Sequence, residues 1–186
     1  MSNNIEYSHR SQFYLLFVTC LIGIILASCS GMQVEITATP GMSANFQTIG
    51  QGNALTTRTA GPGDEPALIV LTNTDQLKPV IDWLDPTTSE KISNTNFDEN
   101  WVAVAFSGKA GSSGYHITIT QVNKLAGEIH LIVKIEGPAP DQAVSTIITH
   151  PFHAISVDST EIPLETGTVV KLIDMEGNIL DQITIP

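Results

Sequence analysis

Short apolar runs separated by turn residues dominate the chain from Asn45 onward, and this pattern constrains the fold more than any other feature. Trp101–Phe106 is apolar at every position, which is typical of a strand buried on both faces. Tyr115–Thr120 and Ile129–Glu136 largely alternate apolar with polar residues. Because Asn123–Gly127 lies between these two runs, they predict a β-hairpin.

Further strand patterns follow the same rule. They lie at Phe46–Ile49, where Gly50 and Gly52 end the run, and at Ala67–Thr72, Val144–Thr149, Phe152–Val157, Val169–Ile173 and Ile179–Ile185. The last two runs flank Glu176–Asn178, which predicts a second hairpin. Many short strands and one short helix predict a mainly β domain, an antiparallel β-sandwich or a barrel-like domain.

The single predicted helix follows the strand at Ala67–Thr72. Asn73 offers an N-cap, and Leu77–Leu84 carries four apolar residues at helical spacing. Asp85–Pro86 predicts the end of this helix, because a residue before proline disfavours helical backbone angles.

The beginning of the chain has the pattern of a secretory leader. Phe13–Ala27 is almost wholly apolar and is shorter than the about 20 residues of a transmembrane helix. Leu26–Cys29 follows directly and resembles the lipobox of bacterial lipoproteins. The resemblance implies that residues 1–28 are removed and that Cys29 is acylated. The alternative is an uncleaved signal anchor.

Lipidation would attach the protein to a membrane, facing outside the cytoplasm. Each buried methylene contributes about 0.8 kcal/mol, and two or more acyl chains give stable anchoring. Cys20 leaves with the leader and Cys29 carries lipid, so no thiol remains for a disulfide. Residues 29–44 contain Gly31, Pro40 and Gly41 and predict a flexible tether to a domain that begins near residue 45.

The acidic balance of the chain restricts its partners. The net charge is −11, and it stays −11 when the leader, with one acid and one base, is removed. Such a surface repels phosphate backbones, so no nucleic-acid partner is expected. Hydrophobic residues make up 42% of the chain, which is enough for a core.

Residues 45–158 resemble the C-terminal domain of the protease complex subunit PrcB family. The matching pieces, in order, are Gly50–Gly52, Ala67–Leu84, Asn96–Asp98, Ser112–Ile117, Pro138–Pro140 and Thr149–His153. The resemblance implies an accessory lipoprotein that binds a surface protease and is not itself an enzyme. It brings no catalytic residues. Residues 159–186 lie beyond it and predict a C-terminal hairpin packed on the same domain.

Two other functions stay open. Ser113–Tyr115 is similar to one loop of the chagasin-like cysteine-protease inhibitors, although no Arg-Pro-Trp-like segment is present. A structural lipoprotein without a protease partner is the second alternative.

A glycine-rich segment, Gly108–Gly114, is not a phosphate-binding P-loop. Ala103 and Ala110 stand where that motif needs glycine and a hydroxyl residue, and a strand follows where it needs a helix. The segment instead predicts a partner-binding loop. The predicted contact residues are Gly111, Ser112, Ser113, Gly114, Tyr115, His150 and Pro151. The alternative is a flexible connection with Tyr115 packed in the core.

The sequence indicates no enzyme site, cofactor or metal site. Gly-x-Ser-x-Gly, the nucleophile pattern of serine hydrolases, is absent. His150 and His153 face opposite sides of an extended segment, which makes them a poor metal pair. His116 and His130 are placed to lie side by side across the first hairpin, but no third ligand is evident. Residues 94–100 are rich in Asn, Asp and Glu but lack EF-hand spacing, so they predict a turn before a strand.

Overall fold

The computed structural model describes residues 42–55 and 62–186. The predicted leader, Cys29 and most of the predicted tether lie outside these residues. Nine strands are present in the described part: β1 (Met42–Ala44), β2 (Phe46–Asn53), β3 (Ala67–Leu71), β4 (Asn100–Phe106), β5 (His116–Leu125), β6 (Glu128–Glu136), β7 (Pro151–Asp158), β8 (Val169–Ile173) and β9 (Ile179–Thr184).

The strands form two sheets. The five-stranded sheet has the order β1-β5-β6-β8-β9, and the four-stranded sheet has the order β2-β7-β4-β3. All neighbours are antiparallel except β6 and β8, because the chain crosses to the other sheet through β7 between them. The predicted mainly β class is confirmed, and the architecture is the sandwich rather than the barrel.

The first two strands are one extended segment that changes sheets. β1 pairs with β5, whereas β2 pairs with β7 after a single intervening residue, Asn45. Met42–Ala44 was predicted as the end of the tether, so the ordered domain begins three residues earlier than expected. β2 also continues past Gly50 and Gly52 as far as Asn53, with a bulge between Thr48 and Gly50. A Cβ at Gly50 would overlap the side chain of Thr88, so glycine there allows close packing against the strand.

The helix predicted between Asn73 and Asp85 is wrong in type and position. Asn73 does cap the segment, but two 3-10 turns follow, and the α-helix (α1) spans Pro86–Ser93. Pro79 lacks the N–H that an α-helix needs there, and Pro86 forces Asp85 into an extended conformation. Asp85 then caps α1, with Oδ1 accepting the Thr88 N–H at 3.0 Å, so Asp85–Pro86 begins the helix.

Two apolar clusters hold the fold, one on each face of the four-stranded sheet. Trp101 and Ala103 pack between the sheets, whereas Val102 and Val104 pack beneath the 3-10 turns and α1. All residues of Trp101–Phe106 are buried, which confirms the prediction of a strand covered on both faces.

Polar side chains join the two sheets at both of their long edges. β1 covers only Val122–Lys124 of β5. Nearer the start of β5, the Ile119 N–H donates to His153 Nδ1 at 2.8 Å and Gln51 Nε2 donates to the Ile117 carbonyl at 2.8 Å. At the opposite edge, the Leu68 N–H of β3 donates to the Asp181 carboxylate of β9 at 2.7 Å. Backbone groups that lack a strand partner at these edges are thus bonded by side chains of the opposite sheet.

Both predicted hairpins are confirmed. β5 and β6 are joined by Ala126 and Gly127, which have φ values of 52° and 87° and form a tight two-residue turn. β8 and β9 form the second hairpin and extend the five-stranded sheet beside β6. The strand predicted at Val144–Thr149 is wrong, because only an isolated bridge between Ala110 and Thr149 forms there.

Candidate functional site

Two loops at one end of the sandwich are bonded to each other, and we call them the paired loops. They are residues 107–115, between β4 and β5, and residues 137–150, between β6 and β7. The Ala110 N–H donates to the Thr149 carbonyl at 2.8 Å, and the Thr149 N–H donates to the Ala110 carbonyl at 2.9 Å. These and the neighbouring bonds link residues that are 32 or more positions apart in the sequence.

The serines of the first loop secure the second loop. The Ser113 N–H donates to the Ser145 carbonyl at 3.1 Å, and Ser113 Oγ accepts the Ser145 N–H at 3.1 Å. Thr149 Oγ1 donates to the Ser112 carbonyl at 2.8 Å. The long second loop is therefore ordered by the first loop rather than by strand pairing.

Two glycines allow the loops to approach closely. A Cβ at Gly114 would lie 2.6 Å from both Pro138 Cβ and Val144 Cγ1, so a side chain there would displace its neighbours. At Gly137 a Cβ would lie 3.1 Å from Cε1 of the Tyr115 ring. The aromatic ring of Tyr115 therefore lies over bare backbone.

The paired loops carry an exposed apolar surface. Tyr115 is 40% exposed, and Ile147 and Ile148 are 55% and 59% exposed. Tyr115 is thus not part of the core. Aromatic and aliphatic side chains that stay in solvent on an ordered loop are typical of protein-binding surfaces.

The same loops hold two buried polar atoms that have no hydrogen-bond partner. Across the described residues, only Ser112 Oγ and His150 Nδ1 are in this state. His150 is 8% exposed, and its Nε2 lies 4.0 Å from Asp64 Oδ1, which is too long for a hydrogen bond. Buried polar groups in native proteins are nearly always bonded, so this pair marks the loops as unusual.

The structure brings the predicted contact residues together. Gly111, Ser112, Ser113, Gly114 and Tyr115 lie on the first loop, and His150 ends the second loop. Pro151 is buried at the start of β7, where its carbonyl accepts the Ser107 N–H at 3.0 Å. The sequence reasoning missed Ile147 and Ile148, because their apolar pattern was interpreted as a strand.

The other predicted polar clusters have structural explanations. His116 lies opposite Glu136 and His130 opposite Asn123, so the expected side-by-side pairing of the two histidines is wrong. Their Nε2 atoms lie 3.2 Å from the Glu136 and Glu128 carboxylates, respectively. Within the described ranges, no group of three or more His, Cys, Asp or Glu side chains could hold a metal ion.

The Asn- and Asp-rich segment before β4 is the predicted turn. The Asn96 carbonyl accepts the N–H groups of Glu99 and Asn100, and its Oδ1 accepts the Asp98 N–H at 3.2 Å. These bonds close the turn within the chain itself.

Fold and site together define a two-sheet β domain that carries an ordered, partly apolar loop surface at one end. Residues 101–158, from β4 through β7, match the family described as PrcB C-terminal. This match confirms the predicted resemblance for that segment, which contains both paired loops, whereas residues 45–100 lie outside it. No curated protein and no solved structure matches the chain. Among the helices that the structure describes, none is long and apolar enough to cross a membrane.

Proposed function

We propose that this protein is a membrane-anchored accessory module that binds an extracytoplasmic protease through the paired loops. The match to the PrcB C-terminal family over residues 101–158 supports this role, because resemblance to that family implies an accessory subunit of a protease complex. The lipidated residue is Cys29, which lies outside the described residues.

The observation that carries the proposal is the combination found on the paired loops. Exposed Tyr115, Ile147 and Ile148 offer apolar contact area, and the nearby Ser112 and His150 each bury a polar atom without a partner. The bonds between Ala110 and Thr149 and between Ser113 and Ser145 fix the two loops, so this apolar area is presented in one arrangement. Partner contact is the function that best explains this arrangement.

A non-enzymatic role fits the serine geometry. Ser112 Oγ is buried and unbonded, and Ser113 Oγ accepts a backbone N–H, so neither is hydrogen-bonded to a histidine base. Turnover of generic ester or peptide substrates, abolished by Ser113→Ala or His150→Ala, would contradict this part of the proposal.

Affinity capture from the native membrane, with the full-length chain as bait, tests the partner and the surface together. Wild-type protein is expected to recover a peptidase. An Ile147→Ser/Ile148→Ser variant is expected to recover about tenfold less, because it loses apolar contact area. Leu125→Ser is the matched control, since Leu125 is also exposed (38%) but lies on the β5–β6 hairpin. Failure to recover any peptidase would contradict a protease partner, and equal recovery by all variants would contradict the surface.

The activity of the captured peptidase separates an accessory subunit from an inhibitor. Unchanged or raised activity supports the accessory role. Dose-dependent loss of activity across a cysteine-protease panel would favour the chagasin-like alternative instead.

The anchor has its own test. Mass spectrometry of protein purified from membranes is expected to find Cys29 at the amino terminus, carrying acyl chains. An intact leader and an unmodified sulfur at Cys29 would contradict it.

A further inference from the structure

One strand of the five-stranded sheet has a partly open edge. β5 pairs with β6 along its length, up to the His116–Glu136 pair. On its other side β6 pairs with β8 only over Ile129–Ile132. In the described part of the chain, no strand lies beside Val133–Glu136 on that side, so backbone groups of this segment are available for pairing.

A groove of about 420 Å³ runs along this open edge, between the end of β6 and the β8–β9 turn. Ile135 lies two residues after the fully buried Val133, on the face of the sheet that turns toward the core, yet it is 40% exposed. Met175 is 57% exposed on the other wall, where Leu180 joins the core cluster. The groove therefore exposes the end of the sandwich core.

Two other unpaired edge segments in the described residues are bonded by side chains of the opposite sheet, whereas Val133–Glu136 has no such bond. Near the start of β5, Gln51 and His153 bond the backbone, and Asp181 bonds the edge of β3. At the open edge of β6, Lys134 is held along its own strand by Glu136, with Nζ and Oε1 2.6 Å apart. This difference, together with the groove beside it, makes the end of β6 a place for strand addition.

The charges around the groove favour a basic occupant. Asp174 and Glu176 line one wall, and Lys134 on the opposite wall is neutralised by Glu136. The chain as a whole carries a net charge of −11, which adds to the attraction. A segment with Lys or Arg at alternate positions would place cations against Asp174 and Glu176 and apolar side chains against Ile135.

We propose that an extended, basic segment of a partner protein adds as a strand beside Val133–Glu136. Its alternate apolar side chains cover Ile135, Met175 and Leu180, and its alternate basic side chains face Asp174 and Glu176. This contact is separate from Ile147 and Ile148 of the paired loops, so it gives the protein a second docking surface.

A peptide of alternating valine and lysine, with blocked ends, is the probe for this surface. Fluorescence anisotropy with the full-length chain is expected to detect binding, and amide exchange at Val133–Glu136 is expected to slow. The same peptide with N-methylated backbone positions, or with glutamate in place of lysine, is expected to bind about tenfold more weakly. Equal binding of the N-methylated peptide would overturn strand addition.

Two variants locate the contact. Glu176→Lys changes an exposed turn residue and is expected to weaken binding of the lysine peptide several-fold, as is Ile135→Ser. Ile147→Ser/Ile148→Ser is the control and is expected to leave peptide binding unchanged. If the control alone weakens binding, the peptide binds at the paired loops and the proposal is wrong. Because this readout is independent of protease capture, the two proposals can fail separately.

Discussion

Two buried histidines, three residues apart, differ in their hydrogen bonds to the rest of the fold. His153 joins the sheets, with Nδ1 accepting the Ile119 N–H and Nε2 lying 3.0 Å from Thr48 Oγ1. His150, on the paired loops, has an unbonded Nδ1. The ring of His153 is therefore a neutral structural connector with its proton on Nε2. The ring of His150 therefore contributes packing but no Nδ1 hydrogen bond to the fold.

The largest expected effect separates the two histidines directly. His153→Ala removes a buried ring and leaves the Ile119 N–H without an acceptor, so it is expected to cost about 3 kcal/mol of unfolding free energy. His150→Ala removes no side-chain hydrogen bond and is expected to cost about 1 kcal/mol. Urea unfolding measures both values. Equal losses would remove the distinction between the two regions.

A second substitution tests how tightly the paired loops are packed. In Gly114→Ala the new methyl group would lie 2.6 Å from the rigid ring of Pro138, and the overpacking is expected to cost about 2 kcal/mol. Gly111→Ala is the matched control, because no atom lies within 4 Å of its Cβ position and little change is expected. Thermal unfolding compares the two variants. A Gly114→Ala protein as stable as the wild type would mean that the loops separate readily.

The pH dependence of stability sharpens the structural role of His153. Burial lowers the pKa of His153 below its ordinary value of 6.5, so the unfolded chain binds this proton more readily than the folded chain. The contribution of neutral His153 to the free energy of unfolding is complete above pH 6.5. It is lost as the pH falls from 6.5 toward the lower pKa of the folded state. Urea unfolding is expected to show up to about 1.4 kcal/mol lost per pH unit in this window. His153→Gln is expected to flatten the slope, and an unchanged slope would contradict this origin.

The smallest expected effect concerns Ser112 Oγ, the other buried polar atom without a hydrogen-bond partner. Ser112→Ala removes a buried hydroxyl that has no partner, so stability is expected to stay the same or rise by about 1 kcal/mol. Ser113→Ala, in contrast, removes the acceptor of the Ser145 N–H and is expected to destabilise the protein. Chemical unfolding of both serine variants distinguishes them. Destabilisation by Ser112→Ala would show that its hydroxyl is bonded in solution.

The sequence predicts local pairing well in this protein because alternation and turn chemistry act over a few residues. The β5–β6 hairpin and the buried strand Trp101–Phe106 follow from such signals. The helix prediction fails because apolar spacing at Leu77–Leu84 satisfies a 3-10 arrangement as well as an α-helix. There, Leu77, Val80 and Leu84 are buried as predicted, but Ile81 is 36% exposed.

The candidate site could be predicted only in part. Glycine and serine at residues 111–114 indicate a loop, but its pairing with Ser145 and Thr149 depends on contacts between distant parts of the chain. Ile147 and Ile148 have the same apolar character as residues of a buried strand. Only the three-dimensional arrangement leaves them in solvent: Thr149 bonds Ala110, and no strand among the described residues pairs with residues 145–148.

The parallel pairing of β6 with β8 has a consequence for the order of folding. Ile129 meets Val170 only after the intervening chain has crossed to the other sheet and returned. Such non-local pairing forms slowly because a long loop must close first. During synthesis from the amino terminus, the edge of β6 over Ile129–Ile132 therefore stays unpaired until the last hairpin emerges. The nascent protein is then most prone to aggregate, and a chain that ends before residue 169 would keep this vulnerability permanently.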